Sequence, residues 1–231
     1  MLLLFDIDGT LLRGATDAHR DALHAALRAV YGIHDPRSPH IDPAGRTDLE
    51  IARAILLDLG LDARHIDDHL DDLRAECASR YARLCPRDLS QYVIPGVSAM
   101  LAELDERPGV HLSLVTGNLE PIARLKLLRS GLSHYFPPGQ GAFGSDEEDR
   151  TLLPAIARRR AGHDGRTYPR AQTVLIGDTP RDIACAHADG LRCIAVATGP
   201  VPADRLADAD AVAADVPELK TLLGSWLTAS S

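Results

Sequence analysis

Four short apolar runs, each closing on a polar or glycine-rich turn, constrain this chain more than any other feature. They are residues 2–5 (LLLF), 111–115 (HLSLV), 173–176 (TVLI) and 193–196 (CIAV). A strand with one wet face alternates apolar and polar side chains, whereas a strand covered on both faces reads as a continuous apolar run. Runs of this kind predict parallel strands buried between helices. Helical pattern follows three of the four closely, and weaker runs at 141–143 and 211–213 add two candidate strands. The alternation predicts an α/β fold, a doubly wound parallel sheet core. Ligands of such sheets bind beyond the carboxyl ends of the strands, and there the chain concentrates its unusual residues.

The stretch from Gly14 to Tyr92 breaks the alternation, because it holds no convincing strand. It reads as amphipathic helices over 17–31, 48–59 and 66–84, with Leu23, Ala26, Leu27 and Val30 at helical spacing. Thr47 and Glu50 have the spacing of a capping box. Residues 14–93 are therefore expected to form a helical cap or lid domain inserted after the first strand. Residues 1–13 and 94–231 form the expected α/β core, and Arg13-Gly14 and Pro95-Gly96 are the expected hinges. The Ser/Thr-rich end after Trp226 is expected to fray.

Composition removes several function classes. With 231 residues the chain can bury a sizeable core unaided. A net charge of −8 argues against a nucleic-acid partner and against anionic membranes. No apolar run approaches the ~18 residues of a membrane span. The opening Met1-Leu-Leu-Leu-Phe-Asp lacks the basic start of a secretion signal, so a cytoplasmic location is expected. Cys77, Cys85, Cys185 and Cys193 are scattered without metal-ligand spacing and read as reduced thiols. Lys126 and Lys220 are the two lysines of the chain. Ten histidines, His19, His24 and His134 among them, form no ligand pattern and receive no role.

Asp6-Ile7-Asp8-Gly9-Thr10 is the sharpest signal. Residues two apart in an extended segment point to the same side, so two carboxylates would crowd the mouth of a buried strand. A divalent cation offsets their repulsion and lost hydration, and hard carboxylate oxygens suit Mg²⁺. The second strand ends in Thr116-Gly117-Asn118, where a hydroxyl, a close-approach glycine and N–H groups at a helix start can hold an oxyanion. The same tripeptide also serves as an ordinary helix cap. The next long strand ends in Gly177-Asp178-Thr179-Pro180-Arg181-Asp182, with Pro180 at its tolerated place in the first helical turn. Asp178 reads as a second metal ligand. Asp182 reads as a further one or as a stabilising acid at a helix N-terminus.

Taken together, MLLLFDIDGTLL, LVTGN and IGDTPRD resemble the first, second and fourth motifs of the haloacid dehalogenase superfamily of phosphohydrolases. The helical insert resembles the cap of its phosphoglycolate-phosphatase-type members. The resemblance spans essentially the whole chain and implies a Rossmann-like core and a Mg²⁺-dependent phosphatase acting on a small phosphorylated metabolite. Carried over, Asp6 is the nucleophile and Asp8 the general acid and base. Mg²⁺ is held by the Asp6 carboxylate, the Asp8 carbonyl and Asp178, with Asp182 orienting the shell. Thr116, Gly117 and Asn118, with Gly9 and Thr10, surround the phosphoryl group. The acid at position 8 separates this chain from the metal-free dehalogenases of the superfamily and argues against carbon–halogen cleavage.

The departure is the third motif, whose lysine is missing between Phe143 and Asp178. Lys126 lies roughly 12 Å along a helix beyond Asn118, at marginal reach. Arg150 lies nearer the usual place, with Glu147 or another acid as its structural alternative. Arg46, in Gly45-Arg46-Thr47-Asp48, could meet a carboxylate or second phosphate as the lid closes, or remain solvated. A phosphotransferase similar to the β-phosphoglucomutase type would share these residues. A non-catalytic binding protein would be expected to lack some of Asp6, Asp8 and Asp178, and all three are present.

Overall fold

A computed structural model describes residues 1–38 and 40–228. Strands β1 (Leu2–Phe5), β2 (His111–Thr116), β3 (Ala142–Phe143), β4 (Thr173–Gly177), β5 (Arg192–Val196) and β6 (Ala211–Ala213) form one sheet in the order β3-β2-β1-β4-β5-β6. Every pairing in it is parallel. Phe5 lies opposite Leu114 of β2 and Ile176 of β4, and the two neighbours run two residues and one residue past that level. Strand order reverses between β1 and β4, the place where such sheets open a crevice.

The helices before β2 are α1 (Asp17–Tyr31), α2 (Asp48–Asp58), α3 (Ala63–Asp68), α4 (Leu70–Leu84) and α5 (Val97–Asp105). After it come α6 (Glu120–Arg129), α7 (Leu153–Arg160), α8 (Pro180–Ala188) and α9 (Val216–Thr228). Alternate residues of β1 face two helical layers, which explains its unbroken apolar run. Leu3 and Phe5 pack in the cluster of α5, α6 and α9, and Leu2 and Leu4 in that of α7 and α8.

Helices α1–α4 build a third cluster, with Leu23, Ala26, Leu27, Leu49, Leu56, Ile66 and Leu73 at its centre; it also takes in Leu119 and Ile122 beside and on α6. The two chain crossings between these helices and the sheet run side by side: Arg13 N donates to Tyr92 O at 2.8 Å and Ile94 N to Leu11 O at 3.0 Å. Gly14 and Gly96, at φ +83° and +91°, take the left-handed turns that these crossings need.

The sequence-based boundaries hold for α1, while the long helix expected over 66–84 is two. It begins earlier, where the Asp62 side chain caps Arg64 N, and breaks at His69, whose backbone leaves helical geometry at φ −121°. Thr47 Oγ1 accepts from Glu50 N at 3.1 Å, but the Glu50 carboxylate bonds Arg46 instead of returning to the Thr47 backbone, so the expected capping box is half formed. Helix α9 continues to Thr228, past the expected onset of fraying, and residues 229–231 lie outside the described residues. All four cysteines are buried and free. Among the described residues no helix is long and apolar enough to cross a membrane.

Candidate active site

The β1 ladder extends one residue past the strand, with Asp6 N donating to Ile176 O at 2.9 Å. Ile7 turns into the core, and Asp6 and Asp8 line the cavity. The chain then folds back through Gly9 at φ +88°, where a Cβ would stand 2.0 Å from Asp178 Oδ2. Gly199 walls the same oxygen from the other side, its Cβ position lying 1.7 Å away. Thr10 Oγ1 donates to Asp178 Oδ1 at 3.2 Å, and Thr198 Oγ1 to Gly9 O at 2.6 Å. Gly9 and Thr10 thus seat Asp178, and Gly9 also lines the cavity.

Asp6, Asp178 and Asp182 each bring a carboxylate oxygen within 4.8 Å of the others, all buried. Their oxygens are not equally committed. Asp182 Oδ2 accepts from Thr179 N at 3.0 Å and Thr179 Oγ1 at 2.7 Å, closing the capping box of α8, and its Oδ1 accepts from Arg150. Asp6 Oδ1, Asp8 Oδ1 and Asp178 Oδ2 are buried with no hydrogen-bond partner.

Burial pushes the Asp6 carboxyl up to about 6 against the pull of Arg150, and with Asp182 and Asp6 it pushes Asp178 up to about 9. Orphaned, desolvated hard oxygens on two neighbouring acids fit a small divalent cation such as Mg²⁺. On this geometry Asp6 and Asp178 offer the free oxygens, and Asp182 orients its neighbours.

Asp8 stands in a different setting. Its Oδ2 accepts from Lys126 Nζ at 2.5 Å and Asn118 Nδ2 at 2.9 Å. Lys126 Nζ also reaches Asn118 Oδ1 at 2.7 Å and His19 Nδ1 at 3.2 Å. His19 Nε2 meets Asp48 Oδ2 at 3.0 Å, and that oxygen accepts from Leu119 N at 2.7 Å. Burial raises the Asp8 carboxyl, but Lys126, His19 and the bonds from Lys126 and Asn118 outweigh it and hold the group below its ordinary range.

Lys126 is wholly buried. Its reach, marginal by helix rise, is made by a side chain running back toward the start of α6. The sequence reading missed His19 and Asp48. Asp48 looks like any acid in a first helical turn, and His19 carries no local signal at all.

Arg150, 6% exposed, partners neither Glu147 nor solvent. Its Nη2 bonds Asp182 and lies 3.3 Å from Asp6 Oδ2, while Nη1 donates to Gly45 O at 3.1 Å. Arg46 lines the cavity, but its Nη1 is engaged by Glu50 and its Nε by Asp42 O at 3.0 Å. Its carbonyl packs on Gly117, where a Cβ would stand 2.1 Å from it.

Thr116 is fully buried and its Oγ1 accepts from Asn118 Nδ2 at 2.8 Å, which leaves the hydroxyl proton for a ligand. The N–H groups expected to be open at the start of α6 are partly filled: Asp48 takes Leu119 N, and Ser145 Oγ takes Glu120 N at 2.7 Å. The structure therefore brings together Asp6, Asp8, Thr116, Gly117, Asn118, Lys126, Arg150, Asp178 and Asp182 around one cavity, and turns the Arg46 side chain to Glu50.

The haloacid dehalogenase-like hydrolase family matches residues 3–187, and the chain belongs to it. A phosphoglycolate phosphatase of Rhodospirillum rubrum is 31% identical over 212 residues, covering 85% of this chain and 79% of the relative. The tyrosine-protein kinase PtkA of Mycobacterium tuberculosis is 27% identical over 227 residues, covering 96% and 72%. The crystal structure of a predicted phosphatase from Clostridium acetobutylicum shares the fold at a TM-score of 0.71, with 18% identity over 97% of this chain and 98% of that one. The chain is thus a phosphatase of the haloacid dehalogenase type, a phosphoric monoester hydrolase.

Proposed function

We propose that the protein hydrolyses a small phosphate monoester in a Mg²⁺-dependent reaction that passes through a phospho-aspartate on Asp6. One observation carries this reading: Asp6 and Asp8 each have their own cation, Arg150 and Lys126, and each keeps Oδ1 unpartnered. In the first step an oxygen of the Asp6 carboxylate attacks phosphorus, the ester P–O bond breaks, and Asp8 gives a proton from Oδ1 to the departing alkoxide. After the alcohol leaves, Asp8 takes a proton from water, which attacks the acyl phosphate. Inorganic phosphate departs and the Asp6 carboxylate is restored.

The Asp6 and Asp178 carboxylates and the Asp8 carbonyl would hold Mg²⁺, with Asp182 fixing their orientation. Bound there, the ion supplies Lewis-acid neutralisation of the phosphoryl charge. Arg150 adds a second cation beside Asp6, and the Thr116 hydroxyl with Gly117 and Asn118 binds phosphoryl oxygens. Lys126 and Asn118 hold Asp8 in place through Oδ2.

Residues 14–93 act as a lid on this reading. Its closed position is supported by Arg150 Nη1 on Gly45 O, Arg181 Nη1 on Ala44 O at 2.5 Å and Asp48 N on Gly117 O at 2.8 Å. The relative from Rhodospirillum rubrum is a phosphoglycolate phosphatase, in keeping with a small phosphorylated metabolite as substrate.

The test is hydrolysis of p-nitrophenyl phosphate with Mg²⁺ and then with EDTA. Release should need the metal, and Asp6→Asn should lower it by at least about a thousandfold. Wild-type phosphate release by Asp6→Asn would sink the mechanism. A shortfall of inorganic phosphate against alcohol, matched by a new phosphate ester, would turn the reading to a phosphotransferase.

A further inference from the structure

The cavity above Asp6 and Asp8 measures about 1140 Å³, beyond the roughly 300–1,000 Å³ of sites for drug-sized ligands. Its wall changes character with distance from Asp8. On α2, Asp48 meets His19 beside the catalytic acids, and Ile51 and Ile55 follow at the third and seventh positions, on the same face. At ~1.5 Å per residue this face runs roughly 10 Å outward from Asp48. On α1 the same change occurs within one turn, from His19 to Leu23. Ile41 joins the same wall. Leu23 and Ile55 are 6% and 4% exposed, so they belong to the helical core and still border the cavity.

Most arginines along the wall have acid partners, and the pairs of Arg20 and Arg37 are exposed and weak. Arg20 pairs with Asp17 and Asp21, Arg37 with Asp35, Arg46 with Glu50, and Arg150 with Asp6 and Asp182. Arg13, exposed beside Gly14, is the one arginine among the described lining residues with no acid partner. A second anionic group on the substrate therefore finds no unpaired buried arginine, whereas an apolar one finds a continuous surface.

Building on the phosphatase reading, we propose that the substrate is a phosphate monoester with an apolar body that lies along Leu23, Ile41, Ile51 and Ile55 while its phosphate sits at Asp6. The body's burial supplies selectivity, at about fourfold in kcat/KM per methylene.

The experiment is a series of n-alkyl phosphates from ethyl to octyl in Mg²⁺, with phosphoglycolate beside it. Values of kcat/KM should climb about fourfold per methylene until the chain outruns the wall, and hexyl phosphate should exceed phosphoglycolate. A flat series, or phosphoglycolate ahead of hexyl phosphate, overturns the proposal. Turnover of ethyl phosphate, too short to reach the wall, then shows that the phosphatase reading survives. If nothing is hydrolysed, that reading is the one that fails, and calorimetric titration decides the proposal. Hexylphosphonate should bind about two-hundredfold more tightly than ethylphosphonate, and equal affinities overturn it. Ile51→Asp should erase most of the difference in a protein whose circular dichroism is unchanged, and the wild-type series decides the matter if that variant fails to fold.

Discussion

Replacing Lys126 with methionine removes a buried cation while keeping most of the side-chain length, so it isolates the charge. In the native protein Nζ is bound by Asp8 Oδ2, Asn118 Oδ1 and His19 Nδ1 at 2.5, 2.7 and 3.2 Å. Burial raises the Asp8 carboxyl, and Lys126 is the largest of the influences that bring it below its ordinary range. A carboxyl lowered by folding adds stability above its unfolded value near 4 and loses it as pH falls through the folded value. Without Lys126, burial prevails, the folded value rises above the unfolded one, and the sign reverses. The variant then loses stability as pH climbs past about 4.

Breaking a buried pair costs about 3–5 kcal/mol. Asp8 is 25% exposed, toward the cavity, which puts the expected cost at the low end, about 3 kcal/mol at pH 8. At pH 4 the variant's Asp8 keeps its proton and the cost falls to about 1 kcal/mol, for the unpaired Asn118 oxygen. Urea unfolding of both proteins in EDTA at pH 4, 6 and 8 measures this directly. Asp6 and Asp178 titrate in both proteins and drop out of the difference. A cost below about 1 kcal/mol at pH 8, or one independent of pH, would show that Lys126 and Asp8 are not paired in solution, and the reasoning would fail.

The carboxyls of Asp6 and Asp178, raised to about 6 and about 9, bind protons more tightly folded than unfolded. Metal-free protein should therefore lose stability as pH rises from about 4 to 9, by about 3 kcal/mol for Asp6 alone. Mg²⁺ should raise Tm more at pH 8 than at pH 5, and equal shifts would refute the assignment. Arg150→Lys keeps a charge beside Asp6 but gives up the Gly45 carbonyl. Amides of residues 44–47 should exchange about tenfold faster, a loss of ~1.5 kcal/mol, and unchanged protection would show that the loop is held by other contacts. Gly117→Ala puts a Cβ 2.1 Å from Arg46 O, so the loop must move. A stability loss of about 1–3 kcal/mol is expected in thermal melts, with a fall in kcat/KM, and a wild-type profile would place the loop elsewhere.

The strands were legible because burial on both faces erases alternation, and strand ends in a parallel sheet dictate which residues meet. Asp6, Thr116 and Asp178 come together through register alone, with Phe5 level with Leu114 and Ile176. The break at His69 was hidden because apolar spacing continues across it from Ile66 to Leu73. His19 and Asp48 reach Lys126 and Leu119 only through the way α1 and α2 settle on α6, a tertiary fact that leaves no local trace. Arg46 carried a readable warning: Glu50 stands four residues on, the spacing of a helical ion pair, and that pair claims the guanidinium a ligand would need.

The two cations reach the acids from opposite faces of the sheet. Lys126 arrives from the face of the sheet where α6 packs, as a point charge among three acceptors. Arg150 arrives from the opposite face, ahead of α7, and its planar fork spans Asp6, Asp182 and the Gly45 carbonyl, which a single ammonium does less well.

Burial raises Asp6 against the pull of Arg150, while Lys126, His19 and Asn118 bring Asp8 down, so the two carboxyls stand in the reverse of the order that the proposed mechanism needs. Asp6, the proposed nucleophile, is raised, and Asp8, the proposed acid, is lowered. Two arrivals restore the order. With a divalent cation bound, Asp6 and Asp178 remain carboxylates at neutral pH. With a phosphate dianion beside it, Asp8 is pushed up, and its free Oδ1 can take the proton destined for the leaving oxygen. On the proposed mechanism the resting order would make both the metal and the bound substrate necessary to arm the site.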